Sequence, residues 1–284
     1  MSGRAEQVTD VVTHHGEGPV WSPRWGGLRF VDMLAGGVLT LRDDGTVSRI
    51  DVGRVAALVR PRREGGYVVA TEHGIGLADR ADGPPTRSVR ITDDAGERMN
   101  EGSAAPDGSL YVGSMAWDAR PDGGTLYRVD PAGQVTVALA PVTISNGLGF
   151  SPDHTRAYYV DTPTGRVDVL DVDDGVLRGR RPLVTVPADE GAPDGLTVDS
   201  QGTVWVALNG GGQVRRYSPG GELLDVVTVP VPGVTACTLG GPSLTDLYIT
   251  TSRLDEGDCA PPGAGALFAA AVDTPGLPVL PYAG

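Results

Sequence analysis

Four oxygen-bearing side chains occupy one position in a repeating pattern, and each of them directly precedes a glycine. Each is followed by an apolar segment with an aromatic landmark, and these landmarks are Phe30, Tyr111, Tyr158 and Trp205. The four side chains, which lie 13, 10, 12 and 11 residues before their landmarks, are Glu17, Glu101, Asn146 and Asp194. Carboxylate and amide oxygens favour calcium, magnesium or manganese, and zinc is a less natural occupant. The pattern predicts one divalent-cation site, most naturally for calcium, that also accepts water or a substrate oxygen.

Two other interpretations of these residues stay open. A single Asn-Gly or Asp-Gly is more often a turn than a ligand, because these residues readily adopt turn conformations. A calcium ion could also brace the protein without taking part in catalysis. The two remaining positions of the pattern, Ala57 and Cys237, carry no side-chain oxygen. Four oxygen-bearing side chains in one register favour a site over isolated turns.

The elements that must position these residues recur along the whole chain. Six short β-type segments are centred on landmarks separated by 38, 43, 47, 47 and 43 residues, and the landmarks are Phe30, Val68, Tyr111, Tyr158, Trp205 and Tyr248. This period equals the length of a four-stranded propeller blade. The sequence predicts an all-β, six-bladed β-propeller forming a single domain over residues 1–284, with the metal site in its central channel. We expect Gln7 to Thr13 to add a strand to the last blade and close the ring.

Composition narrows the range of partners. All 23 basic residues are arginine, so lysine-based Schiff-base chemistry and phosphate-loop binding are excluded. The formal net charge of −13 disfavours nucleic acid and anionic membranes and leaves a small-molecule substrate. No apolar stretch approaches the roughly 20 residues of a membrane span, and we expect a cytoplasmic protein that is a monomer or weak homo-oligomer. Cys237 and Cys259 are expected to be free thiols.

Several motifs, in order, resemble the senescence-marker-protein/gluconolactonase/regucalcin family. They are GEGPVW (16–21), RMNEG (98–102), SNGLGFSPD (145–153), PDGLTVDSQGTVWVA (193–207) and CTLGGPSLTDLYITTS (237–252). The resemblance implies a six-bladed propeller with one catalytic divalent cation, and hydrolysis of sugar lactones in many members. It implies metal ligation by Glu17, Asn146 and Asp194, and makes Asp194 the candidate general base.

The resemblance also implies which residues contact the substrate. Arg98 and Asn100 match the family's substrate-contacting Arg-x-Asn, and Asp118 falls where some members direct a carboxylate at sugar hydroxyls. Glu101 stands where the family usually has Asp, so its longer side chain could reach farther into the pocket. Trp117 at the mouth would favour an apolar or planar ligand face. From sequence alone, Arg98 could instead form an ordinary surface ion pair with Glu97 or Asp94.

Three functions remain in competition. The first is a metal-dependent hydrolase that opens a sugar lactone or related small lactone. The second is a metal-dependent hydrolase, lyase or cyclase acting on a non-sugar substrate in a biosynthetic pathway, because fold does not determine reaction. The third is a non-catalytic calcium-binding propeller. A serine hydrolase is disfavoured because no Gly-x-Ser-x-Gly motif is present, and the paired His14 and His15 are expected to be solvated.

Overall fold

The computed structural model describes residues 3–254 and 259–284, and its strands form six sheets arranged as a β-propeller. In five of the blades the four consecutive strands run from the inside of the ring to its outer edge. Blade one contains β3 (Gly16–Ser22), β4 (Gly27–Asp32), β5 (Gly37–Leu41) and β6 (Val47–Asp51). Blade two contains β7 (Leu58–Pro61), β8 (Tyr67–Ala70), β9 (Gly74–Ala78) and β10 (Arg87–Arg90). Blade three contains β11 (Glu97–Ala104), β12 (Leu110–Ala116), β13 (Gly124–Val129) and β14 (Val135–Val142).

The remaining blades follow the same antiparallel plan. Blade four contains β15 (Ser145–Phe150), β16 (Arg156–Asp161), β17 (Arg166–Asp173) and β18 (Val176–Thr185). Blade five contains β19 (Ala192–Val198), β20 (Val204–Asn209), β21 (Gln213–Tyr217) and β22 (Leu223–Thr228). Blade six contains β23 (Val234–Gly240), β24 (Asp246–Thr251) and β25 (Phe268–Ala271). Short 3₁₀ helices span Pro23–Trp25, Met33–Ala35, Thr162–Thr164 and Ala188–Glu190. None of the helices in the described residues is long and apolar enough to cross a membrane.

The N-terminal segment closes the ring, as the sequence predicted, but with different bounds. Strand β2 (Glu6–Gln7) pairs antiparallel with β25 and completes blade six. The expected strand over Gln7 to Thr13 is therefore wrong in extent, because the chain leaves the sheet after Gln7. Strand β1 (Gly3–Arg4) instead pairs in parallel with β22 and gives blade five a fifth strand. Two neighbouring blades are thus joined by residues that are far from them in sequence.

The inner strands β3, β7, β11, β15, β19 and β23 contact one another around a central channel. Alternating valine, leucine and aromatic side chains fill the space between blades, where Val31, Val69, Val112, Val160 and Val206 are fully buried. Glycines allow the inner strands to approach closely. A Cβ on Gly195 would lie 2.4 Å from the Cβ of Ala236, so only glycine fits between blades five and six there. We call the face of the propeller where the inner strands begin the mouth.

A cavity of about 310 Å³ lies farther along the inner strands from the mouth. Its lining combines apolar side chains, among them Trp21, Phe150, Leu196 and Leu239, with polar ones that include Arg60. The C-terminal residues Leu277 to Leu280 contribute to its wall. The four oxygen-bearing residues singled out in the sequence are not among its lining residues.

Candidate active site and metal centre

The four oxygen-bearing side chains lie near the mouth-side beginnings of four inner strands, as the register predicted. Glu17 is on β3, Glu101 on β11, Asn146 on β15 and Asp194 on β19. All are almost completely buried, with exposed fractions of 2% for Glu17, 3% for Glu101 and 4% for both Asn146 and Asp194. Buried carboxylates are rare unless they are paired or bind a cation, so this group requires a chemical explanation.

Each of these side chains lies at a local irregularity in the pairing of its strand. The pairing register shifts between Glu17 and Val20 in β3, and between Pro193 and Leu196 in β19. Corresponding shifts lie between Met99 and Gly102 in β11 and between Ser145 and Leu148 in β15. Such β-bulges leave a residue outside the regular pairing and redirect its side chain. By contrast, β7 of blade two, which follows the apolar position Ala57, pairs with β8 without a shift.

Hydrogen bonds fix one atom of each functional side chain. Asn209 Nδ2 donates to Asp194 Oδ2 at 3.2 Å, and Asn146 Nδ2 donates to Thr162 Oγ1 at 3.0 Å. Glu17 Oε2 accepts the N–H of Gly18 at 3.0 Å. Glu101 Oε1 accepts the N–H of Gly102 at 3.0 Å. These bonds set the orientation of each group before any ligand arrives.

The opposite oxygen atoms of three of these groups lack hydrogen-bond partners. Glu101 Oε2, Asn146 Oδ1 and Asp194 Oδ1 are all buried and unpartnered. Leaving a buried polar atom unsatisfied costs about 1–3 kcal/mol. All three atoms are hard oxygen acceptors, so a divalent cation would satisfy them together. The residues present therefore fit the cation that the sequence pattern predicted.

The candidate metal-ligand set combines carboxylates with an amide. Within residues 3–254 and 259–284, no three His, Cys, Asp or Glu side chains are grouped closely enough to hold a metal ion. The set of unpartnered oxygens differs from such a group because it includes the amide oxygen of Asn146. Glu101, which was assigned to the substrate on sequence grounds, contributes a free oxygen to the same set.

Burial raises the pKa values of all three carboxyl groups, and repulsion between carboxylates adds to the shifts of Glu17 and Asp194. The pKa of Asp194 is raised to about 8, chiefly because burial disfavours its charged form, and Glu101 adds to the effect. Burial, followed by repulsion from Asp194 and Glu101, raises the pKa of Glu17 well above its usual range. Burial also raises the pKa of Glu101, although the guanidinium of Arg60 opposes this shift. A bound cation would compensate the charge that burial penalises.

Arg60 is an unpredicted member of the site. Its Nη2 lies 3.2 Å from Glu101 Oε1 and donates to the carbonyl of Gly102 at 2.6 Å. The side chain belongs to β7, so blade two supplies a positive charge where its aligned position, Ala57, offers no oxygen. Oε1 of Glu101 is thus paired with Arg60, whereas Oε2 has no partner.

Arg98 and Asn100 form one hydrogen-bonded unit beside the carboxylates. Arg98 Nη1 donates to Asn100 Oδ1 at 2.8 Å, and Asn100 Nδ2 donates to the carbonyl of Ser145 at 2.9 Å. The alternative that Arg98 forms an ion pair with Glu97 or Asp94 is wrong, because Arg98 makes no ion pair in the described part of the chain. Asn100 therefore orients the guanidinium.

The structure does not bring Asp118 into this group. Asp118 is exposed just after β12, and its Oδ1 lies 3.1 Å from Arg120 Nη1. The neighbouring Trp117 does lie at the mouth, as expected. The guanidinium carbons of Arg54 and Arg98 lie 4.4 and 5.4 Å from its ring centroid. A role for Asp118 toward sugar hydroxyls stays a prediction.

His15 is a site residue that the sequence interpretation missed. Its Nδ1 lies 2.7 Å from Ser252 Oγ, and its Nε2 lies 4.0 Å from Glu17 Oε1. Burial, followed by the charge of Arg98, lowers the pKa of His15 to about 4. The expectation of a solvated pair holds for His14, which is exposed, and is wrong for His15. Period-two alternation could have identified it, because residues 15 and 17 share one face of an extended segment.

Comparison with known proteins places this chain in a family. Residues 15–253 match the family model described as SMP-30/Gluconolactonase/LRE-like region. A 6-deoxy-6-sulfogluconolactonase from Pseudomonas putida is 37% identical over 278 residues, which covers 95% of each chain. A pentonolactonase from Haloferax volcanii is 35% identical over 283 residues, or 96% of each chain.

A solved structure agrees with this comparison. It is described as a calcium-binding protein, regucalcin, from Agrobacterium tumefaciens, and it superposes with a TM-score of 0.91 at 27% sequence identity. The alignment covers 99% of this chain and 97% of that chain. The blade order and the positions of the inner strands are therefore shared along almost the whole length. This chain belongs to the SMP-30/gluconolactonase/LRE-like family.

Proposed function

We propose that the protein is a divalent-cation-dependent lactonase that opens a sugar lactone or a related small lactone. The observation that carries the proposal is the set of three buried oxygens without partners, Glu101 Oε2, Asn146 Oδ1 and Asp194 Oδ1, beside the guanidinium of Arg98. A cation held by carboxylate and amide oxygens is suited to a reaction in which negative charge develops on a carbonyl oxygen.

Asn146, Asp194 and Glu17 would hold the cation, Glu101 Oε2 is a further candidate oxygen for it, and calcium is the occupant we propose. A carboxylate and amide donor set without sulfur or imidazole matches the preference of calcium for oxygen. The similarity to a regucalcin described as calcium-binding supports the same choice. When bound, the cation supplies a Lewis acid that stabilises charge on the lactone carbonyl oxygen.

Asp194 is positioned to handle the proton of the attacking water. Its Oδ2 is held by Asn209, whereas its Oδ1 is free and buried. Attack of water on the lactone carbonyl requires removal of one proton, and the carboxylate of Asp194 is the acceptor we assign. Cleavage of the ring C–O bond then leaves an oxygen that takes up this proton, and the product is a hydroxy acid.

Arg98 is positioned to orient the substrate. Its Nη1 is fixed by Asn100 Oδ1 and by the carbonyl of Met99 at 3.1 Å. The remaining edge of the guanidinium can donate to a substrate oxygen in a fixed geometry. The names of the lactonases from Pseudomonas putida and Haloferax volcanii support a polyhydroxylated acid lactone as the substrate class.

The experiment is a lactone panel assayed by proton release. Chelated protein is mixed with aldonolactones and simple γ- and δ-lactones before and after addition of calcium, manganese, magnesium or zinc. Turnover that requires one of these cations supports the proposal and identifies the cation. Stoichiometric cation binding without turnover of any lactone would contradict it and would favour either a binding propeller or another metal-assisted reaction.

A further inference from the structure

Arg98 is a buried cation without an anionic partner. Only 6% of the residue is exposed, yet it forms no ion pair within residues 3–254 and 259–284. Its hydrogen bonds come from one nitrogen, Nη1, which contacts Met99, Asn100 and the Sδ of Met33. Buried charges in proteins are normally paired, so two guanidinium nitrogens of Arg98, Nε and Nη2, remain for a ligand.

Arg29 is a second buried arginine of this protein, and its surroundings differ from those of Arg98. It is also buried and forms no ion pair in the part of the chain that the structure describes. Its guanidinium carbon, however, lies 4.6 Å from the Trp25 ring and 5.3 Å from the Tyr67 ring. Two aromatic faces thus cover that cation, although its Nε and Nη1 are also buried without hydrogen-bond partners, so free nitrogens alone do not mark a ligand site. Arg98 has one neighbouring ring, Trp117, whose centroid lies 5.4 Å from its guanidinium carbon, and Arg98 lies in the candidate site instead.

A second arginine extends the positive charge of Arg98 toward solvent. The guanidinium carbon of Arg54 is 4.4 Å from the centroid of the same Trp117 ring. Arg54 Nη1 donates to Glu72 Oε1 at 2.7 Å, while 67% of the Arg54 side chain is exposed. Glu72 is the single carboxylate that forms an ion pair with these two arginines among the described residues. We call Arg54, Trp117 and Arg98 the arginine wall.

The arginine wall lies at the mouth. Arg54 precedes the inner strand β7, and Trp117 follows β12. Arg98 is the second residue of β11 and pairs with Met115 of β12. Asn100, which accepts a hydrogen bond from Arg98, donates to the carbonyl of Ser145, the residue before Asn146, and this links the wall to the candidate metal ligands. A ligand whose ester lies at the carboxylates would therefore direct its distal end along the wall.

We propose that the arginine wall binds an anionic substituent of the substrate, so that the preferred lactones carry a carboxylate, sulfonate or phosphate remote from the ring ester. The inference rests on the proposed lactonase function and specifies its substrate class. A guanidinium presents a fork of donors that matches the several oxygens of such an anion. A neutral hydroxyl would leave most of these donors unused.

The test compares matched lactones. A neutral aldonolactone and the same lactone carrying a carboxylate, sulfonate or phosphate at its terminal carbon are assayed with cation-loaded wild-type protein, R54Q and R42Q. Arg42 is an exposed arginine after β5, on the hairpin at the edge of blade one, so R42Q removes the same charge away from the mouth.

We expect wild-type kcat/KM to be about 10-fold higher or more for at least one anionic lactone, a size typical of a hydrogen bond to a charged group. The preference should weaken as salt is added. R54Q should reduce the anionic-to-neutral ratio several-fold, mainly through KM, whereas R42Q should leave that ratio unchanged. The anion with the highest ratio identifies the substituent.

Two results would overturn the inference while leaving the proposed function intact. One is cation-dependent turnover of neutral and anionic lactones with equal kcat/KM. The other is an anionic preference that R54Q and R42Q alter equally, which would indicate a general charge effect. Absence of cation-dependent turnover of every lactone would instead overturn the inference together with the proposed function.

Discussion

Thr162 Oγ1 accepts a hydrogen bond from Asn146 Nδ2 at 3.0 Å, and this bond leaves Asn146 Oδ1 facing the site without a partner. Thr162 begins the 3₁₀ helix that follows β16, and the preceding Asp161 accepts the N–H groups of Thr143 and Ile144. Hydrogen bonds thus hold both the residues that precede Asn146 and the 3₁₀ helix that Asn146 contacts. The Asn146 amide is therefore oriented by residues outside the proposed ligand set.

Replacement of Thr162 by valine should therefore weaken cation binding. The substitution keeps the shape of the side chain but removes the oxygen that fixes the Asn146 amide. We expect an affinity loss of about 10-fold, within the range seen when a residue that orients a metal ligand is removed. Calorimetric titration of calcium into the chelated variant and the chelated wild type measures this loss of affinity. Thr164→Val is the control, because Thr164 Oγ1 bonds only to the backbone of Asp161 in the described residues; equal affinity of T162V and wild type would contradict the prediction.

Asp194→Asn should nearly abolish cation binding. The change preserves the volume of the side chain and removes one negative charge, and affinity for hard cations depends strongly on ligand charge. We expect a loss of about 100-fold or more, with a matching loss of lactone turnover. Asp118→Asn makes the same chemical change at the exposed residue paired with Arg120, and it should leave cation affinity unchanged. Wild-type affinity in D194N would remove Asp194 from the ligand set.

Glu101→Gln tests whether Glu101 acts on the cation or on the substrate. Its Oε2 is one of the three unpartnered oxygens, so loss of its charge should weaken calcium binding by about 10-fold. Calcium titration of the chelated variant provides the measurement. An unchanged calcium affinity combined with a raised KM for lactones would instead support the expected substrate-contacting role of Glu101.

Stability of the chelated protein should fall as the pH rises from about 6.5 to 8. The pKa of Asp194 is raised to about 8 and that of Glu17 well above its usual value, so the folded state retains protons that the unfolded chain has already released. The unfolded state then binds fewer protons, and the free energy of unfolding decreases by about 1.4 kcal/mol per pH unit for each such proton.

The pH range from about 6.5 to 8 avoids a contribution of opposite sign, from His15, to the free energy of unfolding. His15, with its pKa lowered to about 4, favours the folded state increasingly up to about pH 6.5, where the unfolded histidine loses its proton. Urea unfolding at pH 6.5, 7.25 and 8 provides the measurement. Excess calcium should flatten the slope, because it keeps the carboxylates ionised in the folded state. A flat or rising profile in the chelated protein would contradict the account of the buried carboxyl groups.

The two cysteines should differ sharply in reactivity. Cys237 is 3% exposed, and burial raises the pKa of its thiol, whereas Cys259 is exposed. Because the thiolate is the reactive form, a thiol reagent should modify Cys259 rapidly in the folded protein and Cys237 only after unfolding. Mass spectrometry after native and denatured labelling distinguishes them. Equal labelling of both thiols in the native protein would be inconsistent with this packing.

The blades could be predicted from sequence because each one carries its own local pattern. An apolar strand after a turn recurs at each landmark, and the register of Glu17, Asn146 and Asp194 follows from it. The two short N-terminal strands, β1 and β2, were harder to predict. Gly3–Arg4 and Glu6–Gln7 contain two residues each, too few to show a period, and their partners lie more than 200 residues away in β22 and β25.

The rest of the site depends on contacts that sequence spacing does not encode. Arg60 reaches Glu101 from a neighbouring blade, and Arg54 meets Trp117 across the mouth. Asn209 could have been anticipated, since it ends the strand paired with β19 and lies opposite Ala192. Asp118 was placed by resemblance, and its position in the turn after β12 is set by local backbone geometry instead.

The most direct test of the central claim is one titration with two readouts. Calcium is added stepwise to chelated wild-type protein while bound calcium and proton release from an aldonolactone are followed together. The account predicts no turnover without a cation and a rate that rises with occupancy and saturates at one cation per chain. Turnover that persists in the chelated protein, or that stays absent at full occupancy on every lactone of the panel, would contradict it.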